Sequence, residues 1–313
     1  MADIFINLKR FDIPRRMGGI CPKDSPGEWI EWVVGESVER GLGKLAGFNI
    51  VYLLPEALIL DAFRALNRCP AADREGIRIG SQGVFREDVK PGGNFGAFTT
   101  NLPAAAARNM GCTWSIIGHS EERKDKLGIV EAYDPGLNDS EQGRLKAADA
   151  VNRLINREVL CALAAGLNVL LCVGETAEER GLGSFEEQKP KIEAVLAAQL
   201  ESGLKETSRL RGDLQIVIGY EPIWAIGPGK TPPGAEYIGF VADLIKSVVR
   251  KRFDYDPVVV YGGGLKEENA AMIAGIDSIG GGLVALTRFT GEIAFEPEGL
   301  QRIIEKYMQQ RDT

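Results

Sequence analysis

Histidine is almost absent from this chain: His119 is the only one in 313 residues. Any imidazole-dependent chemistry therefore falls to that residue. The five cysteines, Cys21, Cys69, Cys112, Cys161 and Cys172, form an odd set without a Cys-x-x-Cys pair. That pattern excludes a disulfide framework and suits free thiols in a reducing compartment. Lysine and arginine nowhere cluster five together, and the formal charge is −7, which argues against nucleic acid or an anionic membrane as partner. No stretch approaches the length of a membrane span, and the start, Met-Ala-Asp-Ile-Phe-Ile-Asn, lacks the basic and apolar regions of a secretory signal. A cytoplasmic protein is expected. A P-loop, a dinucleotide-binding fingerprint and a histidine-rich metal set are also missing, so neither cofactor nor metal is expected.

What the chain does have is a repeating alternation. Short apolar, β-rich runs at residues 4–8, 49–54, 77–82, 114–119, 168–175, 215–221, 258–264 and 282–286 are separated by longer helical patterns. The helical patterns include 27–45, 55–68, 145–165, 185–207, 235–253 and 266–274. Near-continuous apolar strands alternating with helices predict a parallel sheet covered by helices. Eight such units predict a closed (β/α)₈ barrel, with an open doubly wound sheet as the alternative. No change of composition marks a second domain, so residues 1–313 are expected to form one. The stretches 11–26, 85–98, 124–142 and 209–213 read as irregular.

In a closed parallel barrel, function gathers at the C-terminal ends of the strands. The first run ends in Asn7-Leu8-Lys9, the fourth in Gly118-His119-Ser120, and the sixth in Tyr220-Glu221-Pro222. His119 also precedes Ser120-Glu121-Glu122, a helix-start pattern whose positive end disfavours an imidazolium. A lysine, a neutral imidazole and a carboxylate on three strand tips suit one kind of chemistry. The carboxylate takes a proton from a carbon beside a carbonyl, while the other two stabilise charge on the oxygens. Returning the proton to the neighbouring carbon interconverts an aldose and a ketose.

Several runs together resemble the triosephosphate isomerase family over nearly the whole chain. They are Asn7-Leu8-Lys9, Gly96-Ala97-Phe98-Thr99, Ile117-Gly118-His119-Ser120-Glu121, Cys172-Val173-Gly174-Glu175, the segment 220–230, and Tyr261-Gly262-Gly263. The resemblance implies Glu221 as base, His119 as neutral electrophile, Lys9 as electrostatic partner of an enediolate, and Asn7 beside it in the pocket. Ser120 and Glu121 would support them, Glu121 by orienting Lys9. Residues 222–230 would form a lid, with Ala225, Gly227 and Gly229 absorbing backbone change. The implied substrate is a small phosphorylated sugar, glyceraldehyde 3-phosphate and dihydroxyacetone phosphate being the leading pair. A four-carbon erythrulose phosphate and a non-catalytic sugar-phosphate-binding barrel are the alternatives. A homodimer is also implied.

The phosphate end departs from the family pattern. The resemblance implies phosphate contacts from backbone N–H groups at Gly227, at Gly263-Gly264 and at a pair after the eighth strand. Gly264 stands where the family has serine, and an ungapped alignment puts Ala285-Leu286 where it has Gly-Gly. A three-residue shift would use Gly282-Leu283 instead. Arg288 or Thr287 is then a candidate replacement, or Arg288 is simply an exposed arginine. Leu8 replaces a tryptophan, Glu122 an arginine, and 100–103 depart from the family's dimer loop. The chain also exceeds the ~250 residues usual for the fold, with insertions expected at 12–44 and 124–147, after the first and fourth strands.

Overall fold

A computed structural model describes residues 1–311 apart from Pro228. Among the described residues there are eight strands: β1 (Ala2–Asn7), β2 (Phe48–Leu54), β3 (Ile77–Ser81), β4 (Trp114–Ile117), β5 (Asn168–Val173), β6 (Ile216–Tyr220), β7 (Val259–Tyr261) and β8 (Gly281–Val284). They follow one another in sequence order around a closed parallel barrel. The helices are α1 (Pro26–Glu39), α2 (Glu56–Arg68), α3 (Ala104–Asn109), α4 (Ser120–Tyr133), α5 (Glu141–Ala164), α6 (Ala177–Arg180), α7 (Phe185–Gly203), α8 (Ser208–Arg211), α9 (Ala235–Phe253), α10 (Ala270–Ala274) and α11 (Pro297–Arg311). This is the (β/α)₈ architecture that the alternation implies.

The chain groups into two compact units. One comprises Met1–Gln82, Ala106–Ser115 and the chain from Val260 onward; the other comprises Gly83–Ala105 and Ile116–Val259. In the first unit, β1 pairs with β2 from Ala2↔Phe48 to Asn7↔Leu53 and with β8 from Asp3↔Gly281 to Ile6↔Val284. Every residue of β1 is buried, because a strand covered on both faces has no solvent side to make polar. Phe5 packs edge-on against Trp114, their ring centres 5.0 Å apart. In the second unit, β5 and β6 pair from Val169↔Ile216 to Val173↔Tyr220. Helices α5, α7 and α9 supply the buried Ile155, Val159, Ile192, Leu196, Val241 and Ile245.

Helix starts follow the local chemistry. Ser25 accepts from the Glu28 N–H with Pro26 at the first helical position, and Ser140 accepts from the Gly143 N–H. Thr176 and Glu179 form a reciprocal capping box on α6.

Two stretches read from sequence as irregular are helical. Residues 124–142 continue α4 to Tyr133, make a 3₁₀ turn at Pro135–Asp139 and begin α5 at Glu141; 209–213 largely belong to α8. In α4 only Arg123 is buried, while Ile129 and Tyr133 are exposed, so an apolar stripe is nearly lacking. Its support is polar. Lys126 pairs with Glu122 one turn earlier at 2.6 Å and with Glu158 of α5 at 2.9 Å.

Truncating the fully buried Ile155 to alanine is expected to destabilise the protein by roughly 2–5 kcal/mol, because the neighbours of the vacated volume are left without packing partners. Tyr133→Ala, on the exposed side of α4, is expected to stay within about 0.5 kcal/mol. Thermal or urea unfolding of the two variants beside the parent protein checks the contrast.

Candidate active site

The strands end earlier than the apolar runs, so the chemical residues lie just beyond them. His119 is not the last residue of β4 but the N-cap of α4. Its Nδ1 accepts from the Glu121 N–H at 3.3 Å. A nitrogen that accepts carries no proton, so the ring is neutral and its proton sits on Nε2. Nε2 lies 3.2 Å from Oε1 of Glu221. The Glu121 carboxylate stands 3.7 Å from Nδ1, beyond hydrogen-bonding reach.

Glu221 follows β6 and is 2% exposed. Its Oε2 accepts from the Ser120 N–H at 2.9 Å, and its Oε1 from the Ser120 hydroxyl at 3.1 Å. A buried carboxylate is thus seated on the first turn of α4, where unpaired N–H groups and the helix dipole favour negative charge. The Cys172 thiol beside it is pushed well up by burial and then by the Glu221 charge, so it stays protonated. The approach of β5 to β6 depends on Gly174: a Cβ there would collide with the Glu221 carbonyl.

Arg123 braces this turn. It is fully desolvated, which pushes its pKa down, and it donates to the carbonyls of Gly118 and Cys172 and to Asn152. Glu175 gathers three donors on Oε1: Tyr220 at 2.9 Å, Trp224 at 2.8 Å and Tyr237 at 2.8 Å. Burial raises its pKa against the pull of those hydrogen bonds. Arg180 lies over the Trp224 ring at 3.7 Å, so the 3₁₀ turn Ile223–Ala225 after Glu221 is fastened at its tryptophan. Gly227 is exposed with φ +120°, and Pro228 of the expected lid lies outside the described residues.

Behind Ser120 and Ile223 is a cavity of about 410 Å³, walled in part by Leu127, Leu145, Val151 and Val195. Two of these residues belong to the expected insertion at 124–147. The same helix carries an acid cluster in which Glu122 accepts from the Gly118 N–H at 2.6 Å. Burial, with the Glu122 charge next, raises Glu158 to about 9.

In the other unit, Asn7 closes β1 and is buried. Its Oδ1 accepts from the Lys9 N–H at 3.0 Å and from Gln82 Nε2 at 3.2 Å, and Gln82 also donates to the Lys9 and Leu53 carbonyls. Lys9 is held at φ +44°, a conformation costing a non-glycine residue about 1–3 kcal/mol. Leu8, in the tryptophan position, is fully buried. Gly264 has φ +93°, and Ala285 and Leu286 follow the end of β8 half-buried. Both candidate replacements make contacts within their own loop. Thr287 exchanges hydrogen bonds with the Glu296 backbone, while Arg288 pairs with Glu296 at 3.0 Å and donates to the Glu292 carbonyl.

Sequence reasoning missed Gln82, Arg123, Glu175 and the Glu122–Lys126–Glu158 cluster as working parts. Glu175 ends the run Cys172-Val173-Gly174-Glu175 that resembles the family, and was the most accessible of them.

These features define a (β/α)₈-barrel protein with a carboxylate and a neutral imidazole joined at the ends of β6 and β4. The sequence model of the triosephosphate isomerase family matches residues 47–293. Triosephosphate isomerase of Chlorobium phaeovibrioides is 34% identical over 264 residues, covering 82% of this chain and 90% of the relative. That of Nitratidesulfovibrio vulgaris is 33% identical over 234 residues, covering 73% and 79% respectively. The crystal structure of triosephosphate isomerase from Bartonella henselae shares the fold, with a TM-score of 0.66 at 23% identity over 98% of this chain and 99% of that one. The chain belongs to the triosephosphate isomerase family.

The acid cluster yields a pH-dependent prediction. The folded protein keeps a proton on Glu158 that the unfolded chain releases near 4.5, so stability falls as pH rises from there to about 9. Glu122 is lowered and Lys126 raised, so their windows lie outside this one. Glu158→Gln is expected to flatten the decline between pH 5 and 9, read as Tm against pH for both proteins.

Proposed function

We propose that this protein is an aldose–ketose isomerase that interconverts glyceraldehyde 3-phosphate and dihydroxyacetone phosphate through an enediolate. The observation that carries the reading is the pairing of buried Glu221 with the Nε2–H tautomer of His119, the carboxylate held against the first turn of α4 and the imidazole capping it. A carboxylate beside a neutral N–H donor can take a proton from carbon while the donor stabilises the adjoining oxygen.

Glu221 removes a proton from the carbon next to the substrate carbonyl. His119 Nε2–H hydrogen-bonds the oxygen on which charge builds, and the Lys9 ammonium stabilises the resulting enediolate. Asn7 lines the pocket beside Lys9 and fixes its backbone, while Glu121 orients the lysine side chain. His119 gives its Nε2 proton to the oxygen it hydrogen-bonds and takes one back from the hydroxyl on the neighbouring carbon, and Glu221 returns the carbon-bound proton to that neighbouring carbon, so the product carbonyl forms with no net gain or loss of atoms. At rest the two Glu221 oxygens accept from the Ser120 N–H and the Ser120 hydroxyl. The expected lid over 222–230 begins at the next residue and closes over the substrate. Backbone N–H groups of Gly227, Gly263, Gly264, Ala285 and Leu286 face the phosphate end. The working form is a cytoplasmic homodimer, each chain a single barrel domain with added segments at 12–44 and 124–147.

The test is steady-state conversion of glyceraldehyde 3-phosphate by purified protein, beside Glu221→Gln prepared identically. Glu221→Gln is expected to lower kcat by about 10²–10⁴-fold, and His119→Gln by about 10²–10³-fold. A wild-type protein without turnover, or a Glu221→Gln variant with full turnover, would overturn the assignment.

A further inference from the structure

The substrate's phosphate needs positive charge or close N–H groups, and this chain departs from the family pattern in the second. The loops after β7 and β8 show what stands at that end. A Cβ on Gly264 would meet one atom, Lys266 Cε, at 3.8 Å. The lysine side chain therefore passes within van der Waals contact of where a side chain at position 264 would begin. Its Nζ lies 4.1 Å from the centre of the Phe289 ring, which belongs to the loop following Ala285-Leu286.

The loop that presents this lysine is fixed. The Lys266 N–H donates to Asn269 Oδ1 at 2.8 Å, Asn269 Nδ2 donates to the Gly264 carbonyl at 3.0 Å, and the Leu265 N–H donates to the Leu283 carbonyl at 2.8 Å. Arg288, the other cation of these loops, is committed to Glu296 and Glu292. Among the described residues no carboxylate forms an ion pair with Lys266. An ammonium resting on an aromatic face gains from the ring quadrupole and keeps other N–H directions open. It is a partly buried cation already placed between the two segments that the family uses for phosphate.

We propose that Lys266 binds the substrate's phosphate dianion, its side-chain cation adding to the backbone N–H groups at Gly264 and Ala285-Leu286 and compensating for the serine hydroxyl that Gly264 lacks. This inference rests on the isomerase reading for the identity of the substrate, but the affinity for a phosphate group does not. Lys266 sets specificity for the phosphorylated end and takes no part in proton transfer.

The experiment compares wild type, Lys266→Met and Lys266→Arg in two measurements. Inorganic phosphate binding is followed by calorimetry or phosphorus NMR, and kcat and KM are measured with glyceraldehyde 3-phosphate and with unphosphorylated glyceraldehyde. Lys266→Met is expected to weaken phosphate binding about tenfold or more. It should also raise KM for the phosphorylated substrate by a similar factor, with kcat and the unphosphorylated reaction unchanged and Tm preserved. Lys266→Arg should recover part of the loss. If Lys266→Met binds phosphate as wild type does, or if wild type binds none, the proposal is overturned. Lysine-dependent phosphate binding by a protein that fails to isomerise would sink the isomerase reading alone.

Discussion

A negative charge held out of water at the start of a helix is the constraint around which the site is organised. The Glu221 carboxylate is nearly inaccessible, and an unpaired charge so buried would be prohibitive. Ser120 meets both oxygens, one through its backbone N–H at the start of α4 and one through its hydroxyl. The neighbouring elements answer the same requirement. Gly174 lets β5 come up against the Glu221 backbone, Arg123 ties the turn before α4 to the end of β5, and Cys172 remains a neutral neighbour. The helix that receives the carboxylate also receives the imidazole, because His119 is its cap. One structural device thus fixes the position of the carboxylate and the tautomer of the imidazole.

The architecture was readable from sequence because strands covered on both faces show as apolar runs with little interruption. The strand ends were less readable. His119, Glu221 and Gly264 continue the runs in the text of the sequence, yet lie beyond the last ladder pairs, where the backbone turns away to form caps and loops. The start of helix α4 was legible at Ser120-Glu121-Glu122, but its continuation beyond residue 123 was hidden for a different reason. It buries almost nothing apolar and is supported by charged side chains at the spacing of one turn and by Glu158 from α5, a partner that no local pattern announces.

The candidate site divides along a similar line. Asn7, Lys9, His119 and Glu221 were legible because each carries chemistry at a strand tip. The residues that hold them were not. Gln82 secures the Asn7 and Lys9 turn through three acceptors, and Glu175 collects donors from Tyr220, Trp224 and Tyr237. Their roles arise from which chain segments fold together, and residue type alone does not reveal that. On the phosphate side, sequence located the departures at Gly264 and Ala285-Leu286, but only the structure shows Arg288 and Thr287 engaged within their own loop.

Cys172 has a consequence for how the protein meets oxidants and electrophiles. Of the five free thiols it is the one beside the Glu221 carboxylate, and it is fully buried with its thiolate disfavoured by burial and by that charge. The thiolate is the reactive form of cysteine, so alkylation and peroxide chemistry are turned away from the sulfur whose modification would crowd the Glu221 carboxylate. Cys69 is partly exposed and would be marked first; Cys161 is partly exposed too, but burial pushes its thiol up to about 11. Oxidative damage would therefore be recorded on the outer thiols while the carboxylate's neighbour stays reduced.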